Sequence, residues 1–305
     1  MKRRSFISAA GVSTAGLATG VHLKAMGNDH SAGKGFSLYY APHFGMFGES
    51  AGNDLVDQLK YAADKGFRAW EDNDMRLRPV SVQETIARAM TELGMRMGVF
   101  VAHKIYWDQP NLASGNKDWR EEFLEDIRKS VDVALRTHAK WMTVVPGTVD
   151  QSLEMGYQTA NVIESLRLAS EILEPHDLVM VLEPLNWWAN HAGQFLTKTA
   201  QAFEICRAVD SPACKILFDV YHQQIQEGNI IPNIDMAWDE IAYFQVGDNP
   251  GRNEPTTGEI NFANVFRHLR SKGYDGIVGM EHGKSIEGKP GEDRVIEAYV
   301  EVDAP

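Results

Sequence analysis

Three carboxylates and one carboxamide close consecutive apolar runs in the second half of this 305-residue chain: Val-Met-Val-Leu-Glu183, Ile-Leu-Phe-Asp219, Ala-Tyr-Phe-Gln245 and Ile-Val-Gly-Met-Glu281. An apolar run that ends on a polar residue is the pattern of a buried strand reaching the edge of its sheet. Each acid alone reads equally well as a helix N-cap or a solvated strand end. Three carboxylates gathered in one dry place repel one another strongly. A divalent cation relieves that repulsion, and an all-oxygen donor set favours Mg²⁺ or Mn²⁺ over a thiolate-preferring ion. Glu183, Asp219, Gln245 and Glu281 are therefore the expected metal ligands.

The elements that must bring them together repeat along the chain. Apolar strands are expected at 36–40, 67–71, 96–102, 141–145, 178–182, 215–218, 241–246 and 276–280. Between them lie amphipathic helices, at 54–65, 118–138, 197–209, 261–272 and 291–300 among others. One helix starts at a capping box, Ser81-Val82-Gln83-Glu84, and another carries Val162, Leu166, Ala169 and Leu173 on one face. Strands apolar on both faces and alternating with helices require a parallel sheet covered by helices. Eight such units predict a single-domain α/β chain, a (β/α)₈ TIM barrel over residues 35–302, with its site at the carboxyl ends of the strands. No glycine-rich dinucleotide fingerprint follows the first strand.

Residues 1–28 form a separate segment. Met1-Lys2-Arg3-Arg4-Ser5-Phe6-Ile7 precedes a stretch of Ala, Gly, Ser, Thr and apolar residues without an acid. This resembles a twin-arginine export signal with a short linker. It predicts the twin-arginine translocation machinery as a partner and a periplasmic or otherwise exported location. The stretch is too short and too rich in glycine for a stable membrane span. The net charge of −12 becomes −16 once the four cations of residues 1–28 are removed. That charge opposes approach to a phosphate backbone, so no nucleic-acid partner is expected. Cys206 and Cys214 are too few for a disulfide framework; they read as one exported disulfide or as two buried thiols. A homo-oligomer is compatible with the sequence, which sets no stoichiometry.

The segments Val181-Leu-Glu-Pro-Leu-Asn186, Phe218-Asp-Val-Tyr-His222 and Phe244-Gln-Val-Gly-Asp-Asn-Pro-Gly-Arg-Asn-Glu-Pro-Thr-Thr-Gly-Glu-Ile-Asn261 resemble the xylose isomerase-like TIM-barrel superfamily, most closely its hydroxypyruvate isomerase branch. The likeness runs over nearly the whole chain after residue 35. It implies a metal held by Glu183, Asp219, Gln245 and Glu281. It also implies that Glu183 and Glu281 are the catalytic proton donor and acceptor, and that His222 and Arg252 contact substrate oxygens. The chemistry suits the residue types. Isomerising a hydroxy-aldehyde or hydroxy-ketone removes a proton from carbon beside a carbonyl, and the enediolate so formed needs electrostatic stabilisation. Two carboxylates then take the proton and return it.

The chain departs from the branch in its loops. Glu281-His282-Gly283 replaces the usual Glu-Tyr, and the loops containing His103-Lys-Ile-Tyr-Trp107 and Trp187-Trp188 are its own. His103 and Trp188 are candidate substrate contacts there. Loops set specificity on this scaffold, so the expected substrate is a small sugar or hydroxy-keto acid without finer assignment. A ketose 3-epimerase and an inosose-type dehydratase would use the same groups. An abasic-site endonuclease would need a histidine-rich multi-zinc cluster and a basic groove. A non-catalytic exported carbohydrate-binding barrel would not need the pair Glu183 and Glu281.

Overall fold

A computed structural model describes residues 35–303. The twin-arginine segment expected at 1–28 lies outside them. Eight strands run in parallel: β1 Tyr39–Ala41, β2 Ala69–Trp70, β3 Arg96–Met97, β4 Trp141–Val144, β5 Val179–Leu182, β6 Cys214–Asp219, β7 Ile241–Gln245 and β8 Ile277–Gly279. Six form one sheet in the order β1-β8-β7-β6-β5-β4, and β2 pairs with β3. Single parallel bridges, His43 to Glu71 and Val101 to Thr143, join the two sheets on either side. The ring is thereby closed, and the fold is the TIM barrel.

Helices α1 Gly48–Ala51, α2 Leu55–Asp64, α3 Val80–Glu92, α4 Lys117–Thr137, α5 Met155–Leu173, α6 Thr199–Val209, α7 Val220–Gln226, α8 Ile230–Ala237, α9 Phe262–Ser271 and α10 Gly288–Val302 occupy the outside. The main core, including Leu59, Ile86, Ile127, Leu166, Ile205 and Phe266, is where the apolar helix faces meet the outward face of the strands. A second, small cluster fills the ring itself: Ala41, Ala69, Val99, Trp141, Val179, Val181, Leu217, Tyr243 and Ile277.

That inner cluster sets the phase of the site. Side chains alternate along a strand. Counting by twos from Val181, Leu217, Tyr243 and Ile277 gives Glu183, Asp219, Gln245 and Glu281. The same count from Ala69 gives Glu71.

Two local expectations are corrected. The Ser81–Glu84 capping box does not form, because α3 already begins at Val80 behind Pro79 as N-cap; proline pre-sets the backbone there and places Ser81 inside the first turn. The third strand is short, with Arg96–Met97 paired regularly and Val101 rejoining the ring as an isolated bridge. Two helices, α7 and α8, fill the connection between β6 and β7. Cys206 and Cys214 are buried and not bonded to each other. Among the described residues no helix is long and apolar enough to cross a membrane.

Candidate active site

Asp219 is the last residue of β6 and also the N-cap of α7. Its Oδ1 accepts the backbone N–H of Tyr221 at 2.8 Å and of His222 at 3.3 Å. This leaves Oδ2 for the mouth of the barrel and brings His222 in after it. His222 Nε2 stands 3.6 Å from Asp219 Oδ2 and 3.8 Å from Glu183 Oε1. Glu183, Asp219 and His222 are all buried and present ligand atoms within 4.8 Å of one another. Of the sequence-predicted set, these three form the tightest group.

Glu281 reaches the group through Arg252. The guanidinium Nη2 donates to Glu281 Oε2 at 2.6 Å and to Asp219 Oδ2 at 3.2 Å, while Nε donates to the Glu281 carbonyl at 3.1 Å. Arg252 comes from the β7–α9 loop, which is folded back on itself. Buried Asp248 accepts the N–H groups of Asn249, Gly258 and Ile260, and buried Glu254 accepts from Ser285 N at 2.9 Å. The loop therefore holds Arg252 between two strand ends. The other oxygen of Glu281 accepts from Asn73 Nδ2 at 2.9 Å.

Gln245 pairs in register with Asp219 across β6 and β7. Its Nε2 donates to Glu71 Oε1 and Oε2 at 3.3 and 3.4 Å. Its carbonyl oxygen Oε1 is buried and has no hydrogen-bond partner among the described residues. A buried carbonyl oxygen left without a partner costs free energy. On the strand beside Asp219, it is a donor that a hard cation would complete. Glu183, Asp219 and His222 form a group that could hold such an ion, and Glu281 is joined to Asp219 through Arg252.

His222 faces a donor at each ring nitrogen. Nδ1 lies 3.2 Å from the backbone N–H of Asn186 and Nε2 lies 3.3 Å from Arg252 Nη2, and a neutral imidazole accepts at one nitrogen alone. Burial pushes His222 down to about 3, so the ring stays neutral at ordinary pH. It can share a hydrogen bond with a substrate oxygen without adding charge.

The carboxyls are perturbed in the opposite sense. Burial, then the charges of Glu281 and Asp219, pushes Glu183 well above the usual carboxylate range. Burial also raises Glu281, against the pull of Arg252. Glu71, fully enclosed under the mouth, is pushed well up by burial and then by the charge of Glu281.

The remaining sequence candidates fall on the rim. His103 is buried, with Nδ1 against the Lys104 carbonyl at 3.0 Å and Nε2 accepting Val145 N–H at 3.2 Å. Both ring nitrogens are thus spent on backbone, and only the ring faces the adjoining cavity of about 510 Å³. Trp188 is 74% exposed. The tryptophan nearer the site is Trp107, which stacks on His191 at 5.0 Å, with His191 in turn 5.3 Å from His222. Asn73, beyond β2, is a site residue that the sequence did not single out, and Glu71 reads from the sequence only as a rim residue able to line the pocket. Their signal was present in Ala69-Trp-Glu-Asp-Asn73, another apolar run closing on polar residues.

The fold and this mouth define a class. The profile of the xylose isomerase-like TIM barrel family matches residues 59–299, and the chain belongs to that family. The hydroxypyruvate isomerase of Escherichia coli K12 is 32% identical over 162 residues, covering 53% of this chain and 62% of that protein. The 2-oxo-tetronate isomerase of Pectobacterium atrosepticum is 27% identical over 243 residues, covering 77% and 89%. Within its family the chain is an isomerase. Solved structures share the fold at lower identity. D-psicose 3-epimerase of Clostridium cellulolyticum, crystallised with D-tagatose, superposes with a TM-score of 0.71 at 16% identity, over 87% of this chain and 98% of that one. A family 2 AP endonuclease from Brucella melitensis gives 0.72 at 23%, over 83% and 96%.

Proposed function

We propose that the chain is a metal-dependent isomerase of small sugars or hydroxy-keto acids, moving a proton between adjacent carbons through an enediolate. The carrying observation is the buried group of Glu183, Asp219 and His222, with the unpartnered, buried Gln245 Oε1 on the strand beside Asp219. Glu183, Asp219, Gln245 and Glu281 would hold Mg²⁺ or Mn²⁺, which when bound supplies Lewis-acid stabilisation of the negative charge that develops on oxygen.

The protein's own groups do the rest. One of Glu183 and Glu281 takes the carbon-bound proton, and the other returns it to the neighbouring carbon. His222 hydrogen-bonds a substrate oxygen. Arg252 supplies positive charge beside both Asp219 and Glu281, and its fork suits a carboxylate or hydroxyl of the substrate. Trp107 and His191 wall the approach to His222 and shield it from water. The names of the relatives, hydroxypyruvate isomerase and 2-oxo-tetronate isomerase, support a short hydroxy-keto acid. The Arg3-Arg4 segment supports export through the twin-arginine route to the periplasm; retention of the full-length chain in the cytoplasm of cells with that route intact would remove this part.

A panel of C3–C6 keto and aldehyde compounds in deuterated water with Mn²⁺ tests the reading by NMR. The wild-type chain is expected to incorporate deuterium beside the carbonyl, while Glu183→Gln and Glu281→Gln do not. Exchange retained in either variant would remove the acid–base assignment. Binding of sugars without any exchange would favour the non-catalytic barrel. Product analysis separates isomerisation from 3-epimerisation and from loss of water.

A further inference from the structure

The inside of the barrel below the mouth holds a polar cluster that the reaction above does not use. Tyr243 is fully buried within the ring, and its hydroxyl accepts from Val99 N at 3.4 Å and donates to Glu71 Oε2 at 3.0 Å. Glu71, itself buried, receives the Gln245 amide on both oxygens. Room for the cluster comes from two glycines. A Cβ at Gly279 would overlap the Glu71 carboxyl, and a Cβ at Gly98 would overlap the Tyr243 hydroxyl. Neither glycine has the positive φ that would otherwise account for it.

The cluster decides which end of the Gln245 amide faces the ring interior. Glu71 Oε2 accepts the Tyr243 hydroxyl, and Gln245 presents its N–H to both Glu71 oxygens. The reversed amide would set Oε1 against that oxygen. We infer that Glu71, held by Tyr243, is the positioning residue that turns the Gln245 carbonyl oxygen outward as a cation ligand. Glu71 acts through Gln245 and touches neither substrate nor ion. The inference rests on the metal reading above and deepens it.

The test is a Mn²⁺ titration of the purified full-length chain followed by electron paramagnetic resonance, on wild type, Glu71→Gln, Gln245→Met and the double variant. Groups that orient a ligand in this way typically cost 10–100-fold in metal affinity when changed. Glu71→Gln is expected to weaken Mn²⁺ binding about tenfold or more, since the new amide can satisfy Gln245 in either orientation. Gln245→Met is expected to weaken it at least as much, and the double variant no further than Gln245→Met alone. Tyr243→Phe, which removes one hydroxyl from an otherwise intact cluster, is expected to weaken binding severalfold and serves if Glu71→Gln does not fold. Wild-type affinity in Glu71→Gln or in Tyr243→Phe would overturn the inference. So would losses that multiply in the double variant, which would mean that Glu71 acts independently of Gln245. A wild-type chain that binds no Mn²⁺ would sink the metal reading itself and take this inference with it.

Discussion

Arg252 Nη2 lies 2.6 Å from Glu281 Oε2 and 3.2 Å from Asp219 Oδ2, so one guanidinium edge joins the carboxyls of two strand ends. Its Nε also donates to the Glu281 carbonyl. Lysine cannot reproduce this three-way arrangement from a single ammonium. Arg252→Lys should lower kcat/KM by about 10–100-fold, the scale of a lost charge-assisted hydrogen bond. Steady-state kinetics on a compound identified by deuterium exchange will show it, and unchanged kinetics would exclude Arg252 from the working site.

His222 stands with Glu183 and Asp219, and two roles for it, substrate contact and metal ligand, can be separated. The proposed function makes it a substrate contact. His222→Gln should therefore keep one Mn²⁺ per chain with affinity within about threefold, while kcat falls roughly tenfold or more. Loss of the ion from this variant, measured by metal analysis after gel filtration, would make His222 a ligand instead.

Removing the cation should cost stability as well as activity. A ligand that binds only the folded chain stabilises it by about 2.7 kcal/mol at a free concentration of 100 Kd. For a domain of this size that is a Tm shift of roughly 5 °C. Scanning calorimetry after chelation, and again after Mn²⁺ is returned, should show the fall and the recovery. Glu183→Gln should show a smaller recovery, because one ligand is gone.

His103 predicts a pH dependence with a definite sign. Burial lowers its folded pKa to about 4 from 6.5, so the unfolded chain binds the extra proton between those values. The contribution of His103 to stability is complete above about pH 6.5 and is lost as pH falls toward 4, at roughly 1.4 kcal/mol per unit. The buried glutamates, whose values are raised, run the other way. The difference between wild type and His103→Asn isolates the histidine, and urea unfolding at pH 5 and pH 7 should show wild type losing more between the two.

The barrel and most of its mouth were legible because two signals coincide on strands five to eight. An apolar run marks each buried strand, and a polar terminus marks where it emerges. Glu183, Asp219, Gln245 and Glu281 carry both. Glu71 carries them too, at the end of the strand expected over 67–71, but alone it reads as rim structure, and β2 is only two regular residues long. Its contacts with Tyr243 and Gln245 have no local signature. The role of Tyr243 was hidden for a similar reason, because an aromatic residue inside an apolar strand reads as packing until its hydroxyl is seen against Glu71. His222 meets the backbone N–H of Asn186, thirty-six positions away. Such a contact has no local signature. The helix α3 start was misplaced because proline and serine both signal a beginning, and here the proline prevailed.

Gly98 and Gly279 are far apart in the chain, yet each leaves the space that another residue's polar atoms fill. Enlarging either one displaces the Tyr243 hydroxyl or the Glu71 carboxyl, and shortening Glu71 leaves a hollow that neither glycine can close. Positions 71, 98, 243 and 279 are therefore expected to vary as a set: a related chain that departs at one of them should depart at its companions, and alignments of the family should show the four changing together.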